Sequence, residues 1–196
     1  MGTLKHSLVE DRVIFGEGTA KEQWLKAFKE QPLAALDLEL FRSKRVVIVA
    51  PHPDDEVLGC GGLMQQLIAL NCKILVLAVS NGTQSHPNST KYSPDQLNTL
   101  RPQESLAALN YLGVAESTEH IELNLLDGQI HLQTEQLWQS LSKLVQANDI
   151  LICSYEFDGH PDHEAVGKTV QAYATAKQLL CLHVLLWAWH WAKPLD

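Results

Sequence analysis

Apolar residues fall into short unbroken runs along the chain, and between the runs the spacing changes to that of amphipathic helices. The runs "RVVIVA", "KILVLAVS", "DILICSYE" and "CLHVLLWAWHWA" read as strands, and "EHIELNLL" reads as an alternating strand. The stretches "VLGCGGLMQQLIALN", "RPQESLAALNYLGV", "TEQLWQSLSKLVQAN" and "DHEAVGKTVQAYATAKQL" carry helical spacing. Gly113 is placed to stop the second of these helices and Thr134 to cap the third. Ahead of the first strand, "KEQWLKAFKEQPLAALDLELF" sets Trp24, Leu25 and Phe28 at helical spacing and breaks near Pro32. Residues 81–95, "NGTQSHPNSTKYSPD", are rich in Asn, Ser, Gly and Pro and predict a long loop, a candidate for function.

Strand and helix thus alternate, and wholly apolar strands suit a parallel sheet covered on both faces. The expectation is an α/β fold: a doubly wound, Rossmann-like, mostly parallel sheet with helices on both faces. One domain is expected over 1–196, with a helical lead-in at 1–44 and the core at 45–196. In such folds the ligand sits beyond the carboxyl ends of the strands.

Composition narrows the partners. The chain has 196 residues, enough for one ordinary core, and a formal charge of -8. Its acidity argues against a nucleic-acid backbone as partner and leaves a small uncharged molecule open. Homo-oligomer formation is left open as well. Cys60, Cys72, Cys153 and Cys181 are scattered in apolar contexts without a C-x-x-C pair. They read as buried, reduced thiols, with neither a disulfide framework nor a zinc knuckle. The opening "MGTLKHSLVED" lacks a signal-peptide core, and His6 breaks the myristoylation pattern. The most apolar run, "LLCLHVLLWAWHWA", is too short for a membrane span. The expected location is the cytoplasm.

The chemistry lies in two turns. "HPDDEVLG" from His52 and "HPDHEAVG" from His160 share the pattern H-P-D-x-E-x-x-G, and each follows an apolar strand. With proline at the first helical position, residues three apart share one side of the first turn. His52 then converges with Asp55, and His160 with His163. Glu56 and Glu164 suit the positive ends of the helices. Imidazole and carboxylate are ligands for zinc and related divalent ions, and such an ion would balance three adjacent acids beside an apolar strand. Capping alone explains either turn; the pair at two strand ends points to a metal. Asp158, before Gly159, reads as a turn residue, and His190 as a strand histidine among tryptophans.

"PHPDDE" with a later "HPDH" resembles the LmbE-like, or PIG-L, family of zinc-dependent de-N-acetylases, and "RPQESLAALNYLGV" is similar to a helix between the family's two motifs. The resemblance implies that His52, Asp55 and His163 hold Zn2+, or another divalent metal. It implies that Asp54 is the general base and that His160 stabilises the oxyanion or protonates the leaving amine, with Asp162 orienting it. Arg101 is implied as a substrate-binding residue. The substrate expected from it is an N-acetylglucosamine-type amino sugar or its conjugate. "SNGTQS", with Thr83 after Gly82, departs from the acidic turn usual after the second strand. A metal-dependent phosphoesterase and a non-catalytic sugar- or metabolite-binding module are the alternatives.

Overall fold

The computed structural model describes residues 12–194; the readings of "MGTLKHSLVED" lie outside the described residues. Five strands form one parallel sheet: β1 (Arg45–Ala50), β2 (Lys73–Ser80), β3 (Thr118–Leu125), β4 (Ile150–Ser154) and β5 (Leu180–Val184). The order is β3-β2-β1-β4-β5. The chain winds outward from β1 to β3, then crosses back to place β4 on the other side of β1. That reversal creates a switch point between β1 and β4, where the carboxyl ends diverge and leave a crevice. In register, Val46 pairs with Ile150 and Val49 with Cys153, so the turns after both strands open side by side.

Helices cover both faces, as the unbroken apolar strands require. On one face, α2 (Asp55–Ala69) and α3 (Pro94–Tyr111) bury Cys60, Met64, Leu67 and Leu109 against Val46, Ile48, Ile74 and Val76. On the other, α4 (Thr134–Leu144) and α5 (Pro161–Lys177) bury Leu137, Leu141, Val166 and Val170 against Val47, Val49, Leu75 and Leu151. Gly167 lets α5 lie close to β4, since a side chain there would overlap the Ser154 carbonyl oxygen and the backbone of Glu156. Arg45 closes the opposite end of the sheet through a two-pronged pair with the buried Asp149, at 2.7 and 3.1 Å.

Four local expectations change. The long loop is shorter than its composition suggests, because α3 begins at Pro94, where Ser93 and Gln96 form a reciprocal capping box. Thr134 is the first residue of α4 rather than its cap; Gln133 precedes the helix and makes no capping bond. The expected final strand stops at Val184, and "WAWHWA" turns into the short helix α6 (Ala188–Trp191). The reason is Asp158, whose carboxylate gathers the N–H groups of Leu186, Trp187 and Ala188 and curls the backbone. His190 therefore lies on a helix, against Gly18 of the lead-in segment. The lead-in helix α1 (Lys21–Glu30) rests on the same region, with Trp24 edge-on to Trp189 at 4.9 Å.

Candidate metal centre

The two H-P-D turns are not the same geometry. At the second, His160 is the N-cap and Pro161 the first helical residue, as expected. At the first, α2 begins only at Asp55, and Pro53 lies in the turn before it. Asp54 fills the cap position with φ 112, a left-handed conformation that a non-glycine residue adopts only under constraint. Glu56 supplies part of that constraint: one carboxylate oxygen accepts the Asp54 N–H at 3.1 Å and the other accepts the Ser105 hydroxyl at 2.6 Å. Arg101 supplies the rest, donating to the Pro53 carbonyl at 2.6 Å, the Gly82 carbonyl at 3.0 Å and the Asp54 carboxylate at 3.2 Å. Gly82, at φ 63, is required beside it, because a Cβ would overlap the guanidinium.

The turns nevertheless converge. His52 Nδ1 lies 3.4 Å from Asp55 Oδ2 and 3.2 Å from His163 Nε2, and His163 Nε2 lies 3.2 Å from Asp55 Oδ2. The far nitrogens say which atoms are bare. His163 Nδ1 donates to Asp158 at 2.8 Å, and His52 Nε2 faces the carboxylates of Asp127 and Asp162, each at 3.2 Å. A neutral ring with its proton on that side presents a lone pair on the other. Two bare nitrogens and a carboxylate oxygen then meet, and a cation resolves their mutual repulsion. Metal–ligand distances of about 2.0–2.2 Å to N and O set tetrahedral edges of roughly 3.3–3.6 Å. The observed triangle fits one face of such a tetrahedron, so His52, Asp55 and His163 are suited to hold a divalent ion.

The electrostatics favour positive charge here. Burial opposes charge on His52, but Asp127, Asp162 and Asp55 outweigh it and push its pKa up to about 11, so without a metal the ring holds a proton that an ion would displace. The same carboxylates would favour the ion. Burial also opposes the Asp55 charge, yet contacts with His163 and His52 hold its carboxyl well below the usual range. Asp54 behaves differently: burial first, then the charge of Asp55, raises it to about 6, with Arg101 opposing. Burial, followed by the charges of His163 and His52, lowers His160 to about 4. Its Nδ1 accepts the Asp162 N–H at 3.2 Å, which leaves Nε2 as the donor of a neutral ring.

The seven residues named for the site, His52, Asp54, Asp55, Arg101, His160, Asp162 and His163, lie in or beside this crevice, with one changed pairing. The Asp162 carboxylate does not orient His160. It accepts from the Gly128 and Ile130 N–H groups at 2.7 and 3.2 Å and braces His52, because the first turn of α5 directs it toward the loop after β3. Only its backbone N–H meets His160. A further set of ligand atoms, from His52, His160 and Asp162, lies within 4.8 Å of one another, but it shares His52 with the first. Two residues escaped sequence reasoning. Asp158 is fully buried and fixes His163, and Asp127 fixes His52. Both stand in Asp-Gly dipeptides that read as turns; the position of Asp127 at the carboxyl end of a strand was the one available signal.

The crevice is a cavity of about 770 Å³. Its lining combines polar side chains, among them Asp54, Gln84, Ser85, His86 and Arg101, with the apolar Leu58, Leu185, Leu186, Trp187 and Trp189. Trp187 stacks beside His160, with ring centroids 6.4 Å apart and planes 21° apart.

Fold and site together define a class: parallel α/β proteins with a His–Asp–His cluster, suited to one divalent metal, at the switch point of the sheet. The chain belongs to the PIG-L family, described as GlcNAc-PI de-N-acetylase, whose model matches residues 47–174. It is 26% identical over 147 residues to "Uncharacterized deacetylase YaiS" of Escherichia coli, covering 71% of this chain and 73% of that protein. It is also 26% identical over 121 residues to 1D-myo-inositol 2-acetamido-2-deoxy-alpha-D-glucopyranoside deacetylase of Kineococcus radiotolerans, covering 60% of this chain and 32% of the relative. Among solved structures, N,N'-diacetylchitobiose deacetylase from Pyrococcus horikoshii superposes with a TM-score of 0.60 at 21% identity, over 82% of this chain and 61% of that one. The chain thus spans less than two thirds of the last two proteins. Among the described residues, no helix is long and apolar enough to cross a membrane.

Proposed function

We propose that this chain is a zinc-dependent hydrolase that removes the acetyl group from an N-acetylglucosamine-type amino sugar or its conjugate. The observation that carries the reading is the triangle of bare donor atoms from His52, Asp55 and His163, beside an acid that is not part of it, Asp54. When bound, the metal would act as a Lewis acid on the amide oxygen and lower the pKa of a water to about 7.

The protein's own groups divide the remaining work. Asp54, raised toward neutrality, accepts the proton of the attacking water and returns it to the amine nitrogen as the C–N bond breaks. His160 donates its Nε2–H to the oxyanion; its lowered pKa favours this neutral-donor role over that of a resting-state acid. Asp162 and Asp127 hold His52, and Asp158 holds His163, so neither ring turns when substrate arrives. Arg101 spends three donor contacts on the 53–54 turn and Gly82, so its part is to position Asp54 as well as to face the substrate.

The relatives' printed names support an acetamido sugar as substrate. The polar side chains of the lining would take sugar hydroxyls, and Trp187 and Trp189 would meet an apolar face of the sugar or of what it is attached to. Because the two ligand groupings share His52, the site suits one ion better than the pair that a two-metal phosphoesterase requires.

The test is acetate release from a panel of N-acetylated amino sugars by the zinc-loaded chain, with zinc content measured in parallel. His163→Ala is expected to lose acetate release and the zinc held at this centre, so that its zinc content falls by one ion per chain relative to the parent. A zinc content equal to the parent's would remove His163 from the ligands. Absence of acetate release from every acetamido sugar by the loaded parent would overturn the proposed reaction.

A further inference from the structure

Pairing of β4 with β5 assembles a second ligand cluster, remote in sequence from the H-P-D turns. Cys153 stands opposite His183 in the register, and Cys181 stands opposite Leu151. Residues two apart in a strand share a face, so Cys181 and His183 project together. They do so on the side of Cys153: its sulfur lies 3.8 Å from the Cys181 sulfur and 3.8 Å from His183 Nδ1. All three ligand atoms lie within 4.8 Å of one another. Cys153 is buried, while Cys181 and His183 are half-buried on the edge strand, so solvent reaches the cluster from that edge.

The hydrogen bonds around His183 fix the orientation of its ring. Thr175 donates its hydroxyl proton to the Gln171 carbonyl at 2.9 Å, so its oxygen is free to accept from Gln171 Nε2 at 3.2 Å. The other end of that amide, Oε1, faces His183 Nε2 at 2.8 Å. Oxygen can only accept, so the contact with Oε1 sets a proton on Nε2. Nδ1 lies 3.2 Å from the Ser154 carbonyl oxygen, another acceptor, and 3.8 Å from the Cys153 sulfur. An ion held by Nδ1 would take the place of the proton shared with Ser154. An imidazole tethered through its far N–H to an amide oxygen is also how metal-ligating histidines are held.

Distances fit a metal better than a disulfide. Zinc–sulfur bonds of about 2.3 Å set a tetrahedral edge of about 3.8 Å, the separation found between the two sulfurs. A disulfide would require the sulfurs to close to about 2.0 Å. Two thiolates and an imidazole select soft or borderline ions over magnesium and calcium. We propose that Cys153, Cys181 and His183 form a second metal site, for a thiophilic cation such as Zn2+, sharing no ligand with the His52–Asp55–His163 cluster. The contact with Cys181, and then burial, push the Cys153 thiol up, so binding releases protons and weakens as pH falls.

Cobalt distinguishes the two sites, because only thiolate ligands give a near-ultraviolet charge-transfer band with Co2+. The full chain, reduced and stripped of metal, is titrated with Co2+, followed by Zn2+ in competition. The parent and His163→Ala are expected to develop the band, and Zn2+ to abolish it. Cys153→Ser and Cys181→Ser should lose it, and His183→Gln should weaken binding by about 10-fold or more. Circular dichroism of the metal-free variants checks their folding; Cys181→Ser, on the half-exposed edge, carries the test if Cys153→Ser unfolds. A reduced parent that gives no band, or a band that survives both cysteine substitutions, overturns the proposal.

Discussion

Asp158→Asn changes one oxygen to an NH2 group and leaves the shape of a fully buried side chain intact. In the parent, Oδ1 accepts the N–H groups of Leu186 and Ala188, both at 3.0 Å. Oδ2 accepts from Trp187 at 3.1 Å and from His163 Nδ1 at 2.8 Å. The amide has two orientations, and each sets its NH2 against N–H donors. With NH2 toward Leu186 and Ala188, two buried donors lose their acceptor, at about 1–3 kcal/mol each, or about 2–6 kcal/mol together. With NH2 toward His163, Trp187 loses its acceptor and the imidazole must shift its proton to Nε2, the nitrogen that faces Asp55. A protonated Nε2 cannot ligate a metal, and loss of such a supporting partner weakens metal affinity by about 10–100-fold. In the first orientation, urea unfolding of the metal-free variant should show a loss of about 2–6 kcal/mol, a large part of the 5–15 kcal/mol typical of a folded protein. In the second, chelator competition should show weakened zinc binding. If Asp158 were only the turn residue its sequence suggests, stability would change by less than about 0.5 kcal/mol. That result, with unchanged zinc affinity, would refute the reasoning.

Asp54→Asn should keep zinc and lower kcat by about 10²–10⁴, since the amide cannot take a proton and Asp55 is committed to the metal cluster; zinc loss in this variant would mean that Asp54, not Asp55, is the ligand. Gly82→Ala meets both a left-handed backbone and the Arg101 guanidinium; it should cost at least about 1–2 kcal/mol, a fall in thermal midpoint of about 2–8 °C for a chain of this size. Calorimetry showing no fall would mean that Arg101 is not locked against that turn. Trp187→Ala should raise KM for an acetamido sugar bearing an apolar group more than for the free sugar, leaving zinc content unchanged; equal effects on both substrates would show that this wall does not read the attached group.

Much of the architecture was legible from one dimension. Period and run length along a strand or helix are local properties, and VVIVA, ILVLAV and ILIC, the interiors of β1, β2 and β4, are apolar because both their faces are covered. The two H-P-D turns were legible for a related reason: in a parallel sheet the residues just past the strands are the ones that reach the crevice. His52, Asp54, Asp55, His160, Asp162 and His163 could be named without coordinates. What the sequence left open depends on which strands become neighbours. The order β3-β2-β1-β4-β5 brings His52 and His163 together across 111 positions. It also sets Asp127 and Asp158, two ordinary Asp-Gly turns by their spacing, against those histidines. The fate of "WAWHWA" was likewise not local. Its apolar pattern suits a strand, but the Asp158 carboxylate binds three successive N–H groups and curls the segment into α6. Nor does H-P-D-x-E-x-x-G fix one conformation: Glu56, Ser105 and Arg101 hold the first turn in a left-handed step that the second turn lacks. Pattern determines which face of an element seeks cover; long-range packing decides which polar groups meet there, because a buried acceptor takes whichever donors the neighbouring strand delivers.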